Sequence, residues 1–238
     1  MAESKPNIVC LFGHPDDATF VMGGTALLLQ VRYKLHVICV TRGERGYKWA
    51  GEGLGPPNAE VAATRSAEEV EADAMFGAEV TFLDEPDSEI YAHREVCARV
   101  AGLLDKLKPA ALFTHWPHEK PDHAAVWGIA WKALHLANLF WTTEVYMGLM
   151  AGDDRCVVKP DYYVNIGAVF EQKLRMIACH KSHAEEWTKI LTDYNRMTGK
   201  TVWCEYAEAF AAGTPPIGVR WKRRAGSILM DLGRDERA

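Results

Sequence analysis

The sequence predicts an α/β protein with a Rossmann-like, doubly wound and mostly parallel sheet, followed by a helical C-terminal extension. Apolar, β-branched runs typical of buried strands alternate with helical segments five times between residues 7 and 150. Such alternation is typical of parallel sheets with right-handed crossovers. Beyond residue 151 the alternation stops and mostly helical segments follow, which predicts the extension.

Five strands and four connecting helices are predicted in the first part of the chain. The strands are residues 7–12, 35–41, 80–84, 111–115 and 144–150. The helices are residues 20–32, 59–76, 91–108 and 122–138. Gly77 is expected to end the second helix in the left-handed conformation, and Pro109 to end the third because the residue before a proline avoids the helix.

The second part of the chain is predicted to be mainly helical. One further strand is expected at residues 162–166, with helices at 168–182, 184–197 and 203–212. No linker divides the sequence, so a single domain is predicted over residues 1–238. The shape of any pocket is expected to depend on the long loops 42–58 and 151–160, because long loops in compact domains tend to be functional or disordered.

Composition limits the classes of function. The 238 residues are 48% hydrophobic and 25% charged, as in an ordinary soluble globule. The formal charge of -5 argues against nucleic acid or an anionic membrane as the main partner. No stretch approaches the roughly 18 apolar residues of a membrane span, and the N-terminal apolar run is too short for a signal peptide. Six cysteines without a C-x-x-C pair are typical of reduced, structural thiols, so a cytoplasmic location is expected.

Three polar clusters follow predicted strands directly. They are "GHPDD" at 13–17, "TRGERG" at 41–46 and "THWPHEKPDH" at 114–123. In an open parallel sheet, ligands bind beyond the carboxyl ends of the strands. The convergence of such clusters from several strand ends therefore predicts a built site.

The first and third clusters together predict a metal site. His14 and Asp17 are three residues apart at a loop-to-helix junction, and His123 opens the helix after the fourth strand. Two imidazoles and one carboxylate suit catalytic zinc, although non-haem iron uses the same set. Asp16 lies next to a ligand and need not bind, so it is the candidate base for a water molecule that the metal makes more acidic.

These residues resemble the LmbE-like, or PIG-L, family of zinc-dependent N-acetylglucosaminyl deacetylases. The resemblance rests on "GHPDD" with "PDH" about a hundred residues later, on "TRGERG" and "RSAEEVEADAMFGAEVTFLDEPD", and on "VNIGAVFEQKLRMIACHKSH" and "YAEAF". It implies one zinc per chain, held by His14, Asp17 and His123, with Asp16 as the general base. The implied reaction is removal of an N-acetyl or other N-acyl group from a small amino-sugar substrate, and the resemblance makes a homo-oligomer plausible.

One position departs from the family pattern. Members commonly carry a second histidine three residues before the histidine of "PDH", which stabilises the oxyanion or protonates the leaving amine. This chain has Lys120 there, and His118 lies two residues earlier. Lys120 can hydrogen-bond an oxyanion as a point charge, so both residues are candidates for that role.

Four further residues are candidate substrate contacts. The resemblance implies a substrate-contacting arginine at Arg65. Asp87 follows the third strand, where a carboxylate can accept hydrogen bonds from sugar hydroxyls or shape a turn, and Arg42 and Glu44 lie in the loop after the second strand. Asp122 is either a helix N-cap or a hydrogen-bond partner of a metal ligand.

The same residues are also compatible with other functions. The same site could serve an amidase for thiol or other conjugates, an iron-dependent enzyme, or a metal-binding scaffold without turnover. A nucleotide-binding module is disfavoured, because the loop after the first strand lacks G-x-G-x-x-G.

Overall fold

The structure is a computed structural model that describes residues 4–46, 55–118, 120–149, 160–182, 184–213 and 227–232. The described residues contain a seven-stranded sheet. Its strands are β1 (Asn7–Phe12), β2 (Lys34–Cys39), β3 (Glu79–Phe82), β4 (Ala111–His115), β5 (Glu144–Gly148), β6 (Tyr162–Asn165) and β7 (Ala207–Ala212). Most of the loops 42–58 and 151–160, which were expected to shape a pocket, lie outside the described residues.

Helices cover both faces of this sheet. They are α1 (Asp17–Leu29), α2 (Ala59–Asp73), α3 (Arg94–Leu107), α4 (Pro121–Leu136), α5 (Phe170–Cys179), α6 (Ala184–Thr201) and α7 (Ile228–Leu232). Short 3-10 turns follow α2 at 74–76 and precede α5 at 167–169. Among the residues that the structure describes, no helix is both long and apolar enough to cross a membrane.

The strand order is β3-β2-β1-β4-β5-β7-β6. β1 to β5 are parallel, whereas β7 runs antiparallel to both β5 and β6. The chain leaves β1 toward β2 on one side and later returns to β4 on the other. The carboxyl end of β1 is therefore the switch point at which doubly wound sheets bind ligands.

Alternation along β1 divides the core into two layers. Ile8, Cys10 and Phe12 face the layer that also contains residues of α1, α2 and α5. Val9 and Leu11 face the layer built with α3 and α4. Successive side chains of a strand point to opposite faces, so a strand buried on both sides is apolar throughout. This explains why "NIVCLF" shows no polar alternation.

The predicted fold class is confirmed, with one element wrong. β1 and β4 have the predicted bounds, and Gly77 ends the turn after α2 with φ 68°. The helix predicted at 203–212 is wrong, because residues 207–212 form β7. Alanine favours helices, but the segment "AEAFAA" is buried between β5 and β6, and this pairing overrides the local propensity.

A buried ion pair ties β7 to α5, and the same glutamate also binds α1, the helix that carries Asp17. Lys173 Nζ of α5 donates to Glu208 Oε1 at 2.7 Å, and both side chains are almost fully buried. α1 is kinked at Met22, and the backbone N–H groups of Gly24 and Thr25 beyond the kink donate to the Glu208 carboxylate at 2.9 and 2.8 Å. Glu208 thus accepts hydrogen bonds from two backbone N–H groups that the kink deprives of their helical acceptors.

Candidate metal centre and active site

The junction between β1 and α1 is shaped by local hydrogen bonds. The Thr41 N–H donates to the carbonyl oxygen of Gly13 at 2.9 Å, which places the end of β1 beside the loop after β2. The Asp17 carboxylate accepts the His14 N–H at 2.8 Å through Oδ2. Asp17 also lies in the first turn of α1, where a negative charge is favourable. The turn therefore presents His14 and Asp17 to the same space.

The three predicted metal ligands lie together. His14 Nδ1 is 3.3 Å from Asp17 Oδ2, and His123 Nε2 is 3.5 Å from Asp17 Oδ1. One ligand atom from each residue lies within 4.8 Å of the other two. Burial alone would raise the pKa of Asp17, but the neighbouring His123 and His115 hold it well below its usual range. The cluster therefore keeps an ionised carboxylate between imidazoles.

Two further carboxylates lie behind His14. Its Nε2 is 3.2 Å from Asp122 Oδ2 and 3.3 Å from Asp87 Oδ1. An N–H at Nε2 can donate to these oxygens, which leaves Nδ1 as the nitrogen that faces Asp17. Burial alone would lower the pKa of His14, but the hydrogen bonds with Asp122 and the other carboxylates raise it well above its usual value. The surroundings of His14 therefore favour a positive charge.

Asp87 and Asp122 are themselves held in place. Asp87 is buried, and its Oδ2 accepts the Arg45 N–H at 3.1 Å. Asp122 Oδ2 accepts the Ser88 N–H at 2.9 Å. Of the two roles considered for Asp122, the N-cap position belongs to Lys120, whereas Asp122 Oδ2 lies 3.2 Å from Nε2 of the candidate metal ligand His14.

Asp16 is buried and has an unusual backbone, with φ 111° and ψ -30°. Its N–H donates to Glu69 Oε2 at 2.7 Å, and its Oδ2 accepts from Arg65 Nη2 at 2.9 Å. Asp16 belongs to neither of the two clusters of possible ligands, His14–Asp17–His123 and His14–Asp87–Asp122, that the described residues form. Asp16 therefore lies next to the candidate metal ligands without being one of them.

The side chain of Arg65 extends from α2 to the loop that carries Asp16. Its side chain is 4% exposed and donates to the carbonyl oxygens of Pro15 at 2.9 Å and Gly43 at 3.2 Å, as well as to Asp16. Gly43 has φ 64°, and a Cβ there would lie 2.3 Å from Arg65 Nη1. The glycine of "TRGERG" therefore makes room for the guanidinium, which contacts Asp16 within the protein.

Arg42 and Glu44 lie in the loop after β2, as predicted. Arg42 is partly exposed, and its Nε donates to Asp84 Oδ1 at 2.5 Å while its guanidinium covers the Phe82 ring. Glu44 Oε1 accepts the Asp87 N–H at 2.7 Å. Glu44 therefore helps to fix the turn that carries Asp87.

His118 and Lys120 both lie on the segment between β4 and α4. His118 is exposed, with its ring centroid 5.6 Å from that of Trp116. Lys120 is the N-cap residue of α4, and its carbonyl oxygen accepts the Ala124 N–H at 2.9 Å. Each therefore lies a few residues from His123.

Sequence reasoning missed two residues that the structure brings to this site. His115, the last residue of β4, is fully buried, with Nε2 3.1 Å from Asp17 Oδ2 and its ring stacked 3.6 Å from that of His123. Glu69 contacts the Asp16 backbone. A histidine at the carboxyl end of a parallel strand, and a glutamate one helical turn after Arg65, were the available indications.

The fold and the site define an α/β protein with a buried His/Asp cluster at its switch point. Residues 9–134 match the family model described as PIG-L, GlcNAc-PI de-N-acetylase. The chain belongs to the PIG-L family, whose deacetylases are hydrolases that act on amides. This membership confirms the family and the enzyme class predicted from the sequence.

Individual relatives cover most of the chain. It is 29% identical over 219 residues to diacetylchitobiose deacetylase of Thermococcus kodakarensis, covering 84% of this chain and 80% of the relative. It is 25% identical over 202 residues to 4-oxalmesaconate hydratase of Pseudomonas putida, covering 79% and 78%. The solved structure of N,N'-diacetylchitobiose deacetylase from Pyrococcus horikoshii matches with a TM-score of 0.74 and 25% identity, over 87% of this chain and 83% of that one.

Proposed function

We propose that this protein is a zinc-dependent hydrolase that removes an N-acetyl group from an amino sugar or an amino-sugar conjugate. The observation that carries the proposal is the cluster of His14, Asp17 and His123, whose ligand atoms lie within 4.8 Å of one another beside a buried Asp16. Membership of the PIG-L family and the similarity to a diacetylchitobiose deacetylase support the substrate class.

The donor set fits one zinc ion per chain. Two imidazole nitrogens and one carboxylate oxygen are ligands that zinc prefers in catalytic sites. The carboxylates of Asp87 and Asp122 behind His14 are the outer partners that orient such a histidine. When bound, the zinc would polarise the acyl carbonyl and lower the pKa of a water molecule to about 7.

Asp16 is proposed to move the proton. Its carboxylate takes a proton from the attacking water while the water oxygen bonds to the acyl carbon. Arg65 provides the charge that compensates this buried carboxylate, at 2.9 Å. When the carbon–nitrogen bond breaks, the leaving nitrogen takes a proton either from Asp16, which returns the one it received, or from His118 or Lys120, so the products are acetate and a free amine.

Residues around this centre are proposed to stabilise the oxyanion and to bind the substrate. His118 or Lys120 is proposed to donate to the oxyanion or to the leaving amine. Among the predicted substrate contacts, Arg42 and Glu44 remain candidates for the substrate. Arg65 and Asp87 serve the reaction through their contacts with Asp16 and His14.

The test is a panel of substrates assayed with defined metal. Purified protein is loaded with zinc or iron and offered N-acetylated mono- and disaccharides, an N-acylated thiol conjugate and a simple acetamide, and acetate and free amine are both measured. The proposal expects equal amounts of acetate and amine from an amino-sugar substrate with zinc. Turnover of the thiol conjugate alone, activity with iron alone, or metal binding without turnover of any amide would each contradict it.

A second candidate is the addition of water to an activated carbon–carbon double bond. The similarity to 4-oxalmesaconate hydratase covers 79% of this chain. Such a reaction has no leaving amine, which agrees with Lys120 standing where the family commonly has its second histidine. An unsaturated tricarboxylate in the same panel, followed by its loss of ultraviolet absorbance, separates this reaction from deacetylation.

The cytoplasmic location and the homo-oligomer remain proposals that accompany this function. The single domain over residues 1–238 is likewise a proposal. Light scattering during size-exclusion chromatography measures the mass of the assembly against the 26.6 kDa chain.

A further inference from the structure

The backbone of Asp16 is strained. Its φ of 111° differs from those of the other described non-glycine residues with positive φ, which lie between 46° and 64°. The values near 60° are left-handed helical, whereas 111° with ψ -30° is a conformation that residues with a Cβ rarely adopt. Such strain persists only where the surrounding structure over-determines it, and it concentrates at functional sites.

Two side chains of α2 hold this strained residue. Glu69 Oε2 accepts the Asp16 N–H at 2.7 Å. Arg65 Nη2 donates to the Pro15 carbonyl oxygen and to Asp16 Oδ2, both at 2.9 Å. The peptide before Asp16 is thus held at its oxygen and at its N–H. Arg65 and Glu69 are four residues apart and lie on the same face of the helix.

Glu69 makes this contact from surroundings that disfavour a negative charge on its carboxyl group. It is fully buried, and burial, with the nearby Asp73 and Asp16 carboxylates, raises its pKa well above its usual value. A neutral carboxyl group still accepts the Asp16 N–H through a carbonyl oxygen. The contact therefore requires a side chain of this length with an oxygen that accepts the hydrogen bond. Glutamine provides both.

We propose that Glu69 is a positioning residue for the reaction, and that with Arg65 it clamps Asp16 in the backbone conformation from which its carboxylate acts. This inference rests on the proposed function of Asp16 as the base. It assigns Glu69 no contact with substrate or metal.

The kinetic test compares Glu69→Ala with Glu69→Gln in the zinc-loaded enzyme. Misplacement of a reacting group by about 1 Å costs roughly 10²-fold, so Glu69→Ala is expected to lower kcat by about 10–100-fold. KM should change by less than about 3-fold and the metal content should stay the same. Glu69→Gln should restore kcat to within about 3-fold of the wild-type value. An unchanged kcat in Glu69→Ala, or no recovery in Glu69→Gln, overturns the proposal.

Glu68 provides the matched control on the same helix. It is also buried, but its carboxylate accepts from the N–H and Oγ of Ser182, on a different segment from Asp16. Glu68→Ala should lower the melting temperature while leaving kcat unchanged. If Glu68→Ala lowers kcat as much as Glu69→Ala does, the effect of Glu69 is general destabilisation and the proposal fails.

A melting experiment tests the clamp without any assay of activity. Asp16→Gly and Asp16→Ala both remove the carboxylate, but only glycine accepts a φ of 111° without strain. Asp16→Gly should therefore melt roughly 2–10 °C above Asp16→Ala. Equal or lower melting overturns the clamp. An Asp16→Asn enzyme with wild-type activity would instead contradict the role of Asp16 as the base, so the two failures are distinguishable.

Discussion

Asp122 Oδ2 lies 3.2 Å from His14 Nε2, although the two residues are 108 positions apart in the chain. The same helix turn that carries Asp122 also carries His123, so α4 supplies one candidate metal ligand and orients another. Hydrogen bonding at Nε2 leaves Nδ1 facing Asp17.

The Asp122→Ala variant is expected to bind zinc about 10–100-fold more weakly than the wild type, because His14 loses a carboxylate that orients its ring. Competition with a chromophoric chelator measures this affinity. Asp193→Ala is the control, because Asp193 is exposed on α6 and pairs only with surface Lys189 and Arg196 among the described contacts. Equal zinc affinity in Asp122→Ala and the wild type would contradict the orienting role.

Replacing Asp16 by asparagine tests the proton transfer. The Asp16→Asn enzyme should keep its zinc and lose roughly 10²–10⁴-fold in rate, the usual contribution of a general base. Metal content and kcat are measured on the same preparation. Loss of the metal together with the activity would make Asp16 a ligand instead of the base.

The strand ends were predictable because local sequence determines them. Residues 8–12 of β1 are all apolar, and the polar "GHPDD" that follows can begin only where the strand leaves the core. The neighbourhood of β1 and β4 then follows from doubly wound topology, and it brings His14 and Asp17 to His123. This is why the three-residue cluster could be predicted from the sequence.

Contacts between distant segments could not be predicted in this way. Arg65 and Asp16 are 49 positions apart, and nothing in the helical pattern of α2 tells whether its arginine meets solvent, substrate or a buried carboxylate. β7 shows the same limit, because its alanine-rich segment is a strand only when β5 and β6 lie on either side. His115 belongs to an otherwise apolar strand, so the sequence suggests only a core position. Its contact with Asp17 arises because it is the last residue of β4 and lies where the strand reaches the site.

The alanine variants of His118 and Lys120 show which of the two residues acts on the oxyanion or the leaving amine. Removal of one donor to a developing oxyanion costs about 10²–10³-fold in kcat. The variant that loses this much while keeping its zinc identifies the acting residue. If both variants keep the wild-type kcat, neither residue replaces the family histidine, and Asp16 has to carry the proton alone.

The buried Asp73 predicts a pH-dependent stability. Burial raises its pKa well above its usual value, so the folded state holds a proton that the unfolded state releases above about pH 4. Its contribution to the free energy of unfolding therefore falls as the pH rises above about 4, by at most about 1.4 kcal/mol per unit. Asp73→Asn removes this titration.

The measurement for Asp73 is the melting temperature of Asp73→Asn minus that of the wild type, taken at pH 5 and pH 8. This difference should be more positive at pH 8, whatever the amide itself costs at either pH. A difference that is independent of pH, or more positive at pH 5, would mean that Asp73 does not carry a raised pKa in the folded protein.

We propose that His14, Asp17 and His123 hold one zinc ion on which amide hydrolysis depends. The most direct measurement is the zinc content per chain of the wild type and of His123→Ala by elemental analysis, together with acetate release from an N-acetylated amino sugar. His135→Ala is the matched control, since His135 lies exposed near the end of the same helix. We expect about one zinc per chain and full activity in the wild type and in His135→Ala, with both lost in His123→Ala. Full zinc content in His123→Ala would contradict this proposal.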